Sequence, residues 1–515
     1  MRKKHDWILF LLLTLILVVT RLPSLEEPLD NDSGANAFFA RQMLRGEVLY
    51  DKFHPGHHLP GIYYTFEIAF KLFGDTPIAP KLFLLPWTLA CAWLIFQLGR
   101  RFINNLSGRL GGVFFLLVSS QVLLKGTTVE MEHFANLPLT AGTFLSIVLL
   151  RNKAPAWQFI WVGFIGAVCL LYKIIFVAPL AVAGISILAE AWLNRSQTNA
   201  LKTAFLRLVW MSIGLFIPLA TVAAYFASLG LWDRLLLVFK IGLEYMQGGG
   251  MLGWLPPPFG FPIFWMGVNN AALLIFGLMG TFRCARRAIP LRNQENLTAF
   301  MLVLWLTISF AEAGLRRGGW HQYALLVVPP LALMAASEIT TAYDRWKVKN
   351  SERQAILGMR IMIALVILNF GMMNYGFYSN YIVYKLGRSS YEDFIHGYTD
   401  TATETAAIGA VALNAELMGN YLRANTTSDD LIYLATMSVQ AYYYADREPP
   451  TEIIWPNFVF VTGSADQILD PRTKYIVLDK PERMEHPQWL MEGLKRYYYL
   501  EAIVGGHEIY RRQSP

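Results

Sequence analysis

Long apolar runs recur along this chain and constrain its fold more than any other feature. Trp7 to Thr20, Leu110 to Leu124 and Ile361 to Phe370 are examples, each set off by short polar clusters. An α-helix needs roughly 17–25 apolar residues to cross a bilayer. Lipid offers no partner to backbone N–H and C=O groups, so such runs demand helices that satisfy those groups internally. The charge content agrees: 16% of the 515 residues are charged, against about a quarter in a soluble domain. The expected fold is therefore an all-α polytopic transmembrane bundle, not a soluble protein with many buried helices.

The distribution of charge sets the expected topology. Basic residues fall in alternate gaps between the runs: Arg100, Arg101 and Arg109; Arg151 and Lys153; Arg195, Lys202 and Arg207; Arg283, Arg286, Arg287 and Arg292; Arg345, Lys347, Lys349 and Arg353. This is the positive-inside pattern. It accounts for the formal charge of +7 and excludes nucleic acid as a partner. The first run follows Arg2, Lys3 and Lys4, but Arg21-Leu22-Pro23-Ser24-Leu25 offers no small-residue cleavage site, so it reads as a retained helix. Cys91, Cys169 and Cys284 have neither a metal spacing nor a disulfide pattern.

With the N-terminus cytoplasmic, about eleven spans satisfy the alternation. They fall near residues 7–21, 80–98, 110–125, 134–150, 157–172, 174–191, 206–228, 261–281, 298–313, 321–340 and 357–377. The transmembrane domain is then 1–377, with a first outer loop over 21–79. That loop predicts a helix from Ser33 to Arg45 and an amphipathic one from Gly61 to Phe73, stopped by Gly74. A second loop, Ser228 to Gly260, carries Gly248-Gly249-Gly250 and Pro256-Pro257-Pro258, a lid or a plain surface loop. Residues 378–515 read as an extracytoplasmic α/β domain. Its expected helix is Ala415 to Ala424, and its expected strands are Leu431–Ala435, Phe458–Thr462, Tyr475–Leu478 and Glu508–Arg511.

Ionisable groups on the outer side, or inside a span, need a reason to be there. Four groups fall on that one face: Asp30 and Asp32 with Lys52, His54, His57 and His58; Glu130 and Glu132 with His133; Lys173; and Arg316 and Arg317 with His321 and Tyr323. Each also has a structural reading. Asp32 precedes a helix and can cap it, Lys173 can snorkel to the interface, Glu130 and Glu132 can be solvated, and the arginines can meet lipid headgroups. The Asp30-x-Asp32 spacing is similar to that of metal-binding carboxylate pairs, but two aspartates alone are weak evidence, and the adjacent His57-His58 pair is a poor metal spacing for a single helix.

The stretch Asp32-Ser33-Gly34-Ala35-Asn36-Ala37-Phe38-Phe39-Ala40-Arg41-Gln42-Met43-Leu44-Arg45-Gly46-Glu47-Val48-Leu49-Tyr50 resembles the first outer loop of glycosyltransferase family 39. Protein O-mannosyltransferases and lipid A aminoarabinose transferases belong to that family, which has the GT-C fold. His54-Pro55-Gly56-His57-His58-Leu59-Pro60-Gly61-Ile62-Tyr63-Tyr64 stands where the family often has Asp-His-Lys-Pro-Pro, so the lysine is absent. Glu132 to Pro138, Leu171-Tyr172-Lys173, Arg317 to Tyr323 with Pro329-Pro330, and Gly505 to Arg512 are similar to later family segments.

The resemblance implies a membrane glycosyltransferase. It would move a sugar from a polyprenyl-phosphate carrier to an extracytoplasmic lipid, glycan or protein acceptor, with inversion, in the plasma or inner membrane. Asp32 is the candidate general base. Glu132, Lys173, Arg316, Arg317, His321, Tyr323, His57 and His58 are candidate substrate-binding residues, the cations opposing the charge of a departing phosphate. Membrane lipids are expected partners, no cofactor is implied, and a divalent metal is left open. The alternatives are a lipid or glycan transporter, and an inactive relative that binds lipid-linked sugars.

Overall fold

A computed structural model describes residues 2–247, 260–314, 321–349, 351–385, 407–456, 465–479 and 486–513. The chain divides into two compact units: Met1–Pro23, Phe83–Tyr225 and Met246–Ser379 form one; Ser24–Leu82, Phe226–Tyr245 and Asn380–Pro515 form the other.

Each of the eleven expected spans is largely helical. They are α1 (Arg2–Arg21), α4 (Ala79–Phe102), α5 (Asn105–Ser119), α6 (Met131–Arg151), α7 (Ile160–Tyr172), α8 (Ala178–Leu193), α9 (Ala200–Ser228), α11 (Gly260–Ala288), α12 (Gln294–Gly314), α13 (Val328–Lys349) and α14 (Glu352–Lys385). Among the described residues, six are long and apolar enough to cross a membrane by length and composition: α4, α6, α9, α11 from Ile263, α12 and α14 to Ser379. Phe205 and Phe216 on α9 and Leu368 and Met372 on α14 are exposed, as expected of faces whose solvent is lipid. The tenth span departs from expectation. It opens with a 3-10 segment, His321–Leu326, and α13 starts only at Val328, where Pro329 and Pro330 occupy positions that lack helical N–H partners anyway.

Small residues bring helices together where no hydrophobic drive exists within lipid. A Cβ on Gly163 of α7 would stand 1.8 Å from the Met211 carbonyl oxygen of α9, and one on Gly214 would stand 1.9 Å from that of Ile160. Two ion pairs lie within the helices: buried Arg207 with buried Glu190, and half-buried Arg283 with buried Glu338. Within α11 the helix breaks at Asn270 (φ −144°, ψ 45°). There the Asn270 and Gln121 amides bond reciprocally, Gln121 Nε2 donating to Asn270 Oδ1 at 2.8 Å.

The other unit holds α2 (Asn31–Leu44), α3 (Gly61–Phe73), α10 (Trp232–Gln247) and the C-terminal α/β segment. That segment comprises α15 (Ala407–Ala424), β1 (Leu431–Ala435), α16 (Ala441–Ala445), α17 (Ala465–Ile468), β2 (Thr473–Leu478), α18 (Gln488–Tyr497), β3 (Tyr498–Val504) and β4 (His507–Arg512). The sheet order is β1-β2-β4-β3, with β1 and β2 parallel and the remaining pairs antiparallel. Its core packs Tyr433, Ala435, Ile476 and Leu478 against Leu490 and Leu494, with Ile241 of α10 in the same cluster. The expected strand at Phe458–Thr462 and the Gly248–Pro258 loop lie outside the described residues.

Candidate functional site

The start of α2 differs from the sequence reading by two residues. Asp30, not Asp32, caps the helix, its Oδ1 accepting the Ser33 N–H at 3.0 Å. Asp32 lies instead in the first turn, half-buried, where the helix dipole favours a negative charge. Four consecutive residues, Asp30 to Ser33, can all serve as caps, and only the backbone path selects among them.

Facing Asp32 is Tyr63 of α3. Burial, with the Asp32 charge added to it, raises the Tyr63 phenol well above its ordinary range. Its hydroxyl stands 3.2 Å from His58 Nδ1, and the His57 and His58 rings meet at 4.3 Å between centroids. The first loop thus gathers Asp32, Tyr63, His58 and His57. Tyr63 was not singled out from the sequence, although the Ile62-Tyr63-Tyr64 run marked its place.

His54 has another task. Its Nδ1 accepts the Gly56 N–H at 3.1 Å, so Nε2 carries the proton and donates to the Arg234 carbonyl at 2.9 Å. Burial, aided by the Arg234 charge, lowers its pKa to about 4. Neutral and fully enclosed, His54 fastens the loop to α10. Arg234 completes the attachment, donating to the carbonyls of Tyr50 at 2.7 Å and Asp51 at 2.6 Å. Tyr50 is held at φ 72°, a conformation non-glycine residues adopt only when their surroundings impose it.

The transmembrane unit holds the second group. Lys173, where α7 ends, is buried; its Nζ donates to Glu132 Oε1 at 2.7 Å and to the Tyr323 hydroxyl at 2.9 Å. The ammonium also lies 4.4 Å from the Tyr323 ring centroid. Glu132 belongs to the first turn of α6. Beside it, Glu130 pairs with Lys125 at 2.5 Å, and His133 Nε2 stands 3.0 Å from the Lys125 carbonyl. The His321 ring packs on Trp265 at 5.4 Å. Three of the proposed binding residues, Glu132, Lys173 and Tyr323, therefore meet directly; Arg316 and Arg317 lie outside the described residues.

Two features escaped sequence reasoning. Glu312 of α12 caps α8, accepting the N–H groups of Val177 at 2.7 Å and Ala178 at 2.6 Å. Lys125 stood alone between apolar runs with Glu130 five residues on, a signal that could have been read. Among the described residues, no group of three or more His, Cys, Asp or Glu side chains is placed to hold a metal.

Taken with its small C-terminal sheet, the polytopic helical architecture is that of the GT-C class. The apo structure of ArnT from Cupriavidus metallidurans superposes with a TM-score of 0.56 at 13% identity, covering 99% of this chain and 98% of that one. ArnT bound to undecaprenyl phosphate gives 0.56 and 13%, with 98% of each chain covered. The archaeal oligosaccharyltransferase AglB from Archaeoglobus fulgidus, in complex with an inhibitory peptide and a dolichol-phosphate, gives 0.55 and 12%, covering 100% of this chain and 75% of that one. No family model matches the sequence, and no curated protein matches it.

Proposed function

We infer that this protein is a membrane glycosyltransferase that takes a sugar from a polyprenyl-phosphate carrier and transfers it to an acceptor on the extracytoplasmic side. The observation that carries the reading is the position of Asp32: relieved of capping by Asp30 and half-buried in the first turn of α2. The shared fold supports it, since ArnT is seen with undecaprenyl phosphate and AglB with a dolichol-phosphate.

In this reading Asp32 accepts the proton of an acceptor hydroxyl or amine as its heteroatom attacks the anomeric carbon. The bond from that carbon to the phosphate oxygen breaks, and the carrier phosphate leaves with the electron pair. Attack opposite the leaving group inverts the centre, through an oxocarbenium-like transition state. Cations oppose the charge growing on the phosphate, a role proposed for Arg316 and Arg317. His57, His58 and His321 are proposed to contact substrate. Glu132, Lys173 and Tyr323 are proposed to form one wall of the carrier site, with the ammonium already balanced by a carboxylate.

The test is turnover by purified protein given a polyprenyl-phosphate sugar and candidate acceptors. Release of carrier phosphate is expected only with an acceptor, and Asp32→Asn should lower it by about two to four orders of magnitude. Uptake of the intact lipid-linked sugar into vesicles, without cleavage, would instead identify a transporter.

A further inference from the structure

One face of α2 is lined end to end by the segment that follows β1. Gly34, Phe38, Arg41 and Arg45 are spaced by four, three and four residues, a single stripe along a helix. A Cβ on Gly34 would stand 2.1 Å from Gln440 Cβ, so only glycine admits the segment there. Phe38 meets the Tyr442 ring at 5.7 Å. Arg41 donates to the Tyr443 carbonyl at 2.5 Å, and its guanidinium lies 3.8 Å from the Tyr443 ring centroid. Arg45 pairs with Asp446 at 2.6 Å. Just before the helix, the Leu29 N–H donates to the Tyr444 hydroxyl at 2.7 Å.

Arg41 also forks onto Asp75, Nε at 2.6 Å and a terminal nitrogen at 3.1 Å, and Tyr443 donates to the same carboxylate at 3.1 Å. A different face of α2 carries Asp32 and, seven residues on, Phe39, whose ring meets Tyr63 at 5.2 Å. The helix is held from behind by the C-terminal segment while Asp32 looks toward α3.

We propose that residues 440–446, acting through Gly34 and Arg41, are positioning residues for Asp32, so that the C-terminal segment governs the chemical step and not the capture of carrier. This rests on the reading of Asp32 as general base. Displacing a base by about an ångström can cost up to a hundredfold in rate, whereas carrier binding needs no such registry with α2.

The experiment uses the purified full chain and measures kcat alongside the dissociation constant of a non-hydrolysable polyprenyl-phosphate sugar. Gly34→Ala should lower kcat by about tenfold to a hundredfold while donor affinity stays within about twofold. Arg41→Lys keeps the charge but loses the fork, and should lower kcat in the same way; it decides the matter alone if Gly34→Ala does not fold. Wild-type kcat in Gly34→Ala or Arg41→Lys overturns the proposal. So does a parallel loss of kcat and donor affinity. Asp32→Asn in the same assay separates the two levels. If it turns over like wild type, the base assignment fails; if it is inactive while Gly34→Ala is normal, only the positioning fails.

Discussion

His54 makes the stability of the first loop depend on acid in a calculable way. Its imidazole is enclosed and engaged at both nitrogens in the neutral form, and burial brings its pKa down to about 4 from the ordinary 6.5. A group whose folded pKa is depressed below its unfolded value binds fewer protons folded than unfolded between the two values. Stability therefore falls as pH falls through that window. The shift is worth about 3 kcal/mol in full, at 1.36 kcal/mol per unit, and about 2 kcal/mol of it is already lost at pH 5. His54→Gln removes the titration and keeps a donor for the Arg234 carbonyl. Thermal unfolding of purified wild type and variant, followed from pH 7.5 to pH 4.5, should show a steeper acid loss in wild type by about one proton. Protease cleavage within residues 45–60 should accelerate over the same window in wild type alone. Parallel pH profiles would mean that the ring is not held neutral and that the loop is fastened by other contacts.

Breaking the Lys173–Glu132 pair from one side should be expensive. Glu132→Gln or Lys173→Met alone should each cost about 3–5 kcal/mol, while the double variant should cost well below their sum; denaturation of all three proteins checks this. Gly163→Ala forces a methyl into the Met211 carbonyl and should lower stability by about 1–3 kcal/mol, read as a drop in melting temperature. Cysteines placed at the exposed positions Asp51 and Ser428 should both react with an impermeant thiol reagent in intact cells. Labelling only after lysis would reverse the proposed orientation.

The helices at the eleven expected spans, six of them long and apolar enough to cross a membrane among the described residues, were legible because span length and apolarity are local properties that survive without knowledge of neighbours. The end of α3 at Gly74, with φ 86°, was equally local. What escaped was what depends on contacts between distant residues. Arg41 reaches Tyr443 across 402 positions, so nothing near Arg41 in sequence reveals that it joins the first loop to the C-terminal segment. Lys173 meets Glu132 and Tyr323 across 41 and 150 positions, which turned three separately suspected groups into one cluster. β3 was missed for a different reason. Tyr498–Val504 is a half-exposed edge strand with Glu501 within it, and its alternation is too weak to stand out from the helix that runs directly into it.

The pairing of charges also bears on where catalytic charge can reside. In the transmembrane unit Lys173, Lys125, Arg207 and Arg283 each have a carboxylate beside them. A buried cation so matched presents little net charge to an approaching phosphate, and separating the pair leaves the carboxylate uncompensated in a low-dielectric setting. Holding a phosphate at these lysines would therefore place a second anion against Glu132 or Glu130, a repulsion that one ammonium must offset twice. Arginine can meet a phosphate through two parallel N–H donors without surrendering its charge, which supports the proposal that Arg316 and Arg317 take the donor phosphate while the charge-balanced Lys173–Glu132–Tyr323 cluster lines the carrier site beside it. Asp32 is half-buried in the first turn of α2, where the helix dipole favours a negative charge, and it is the group proposed to take the proton of the acceptor.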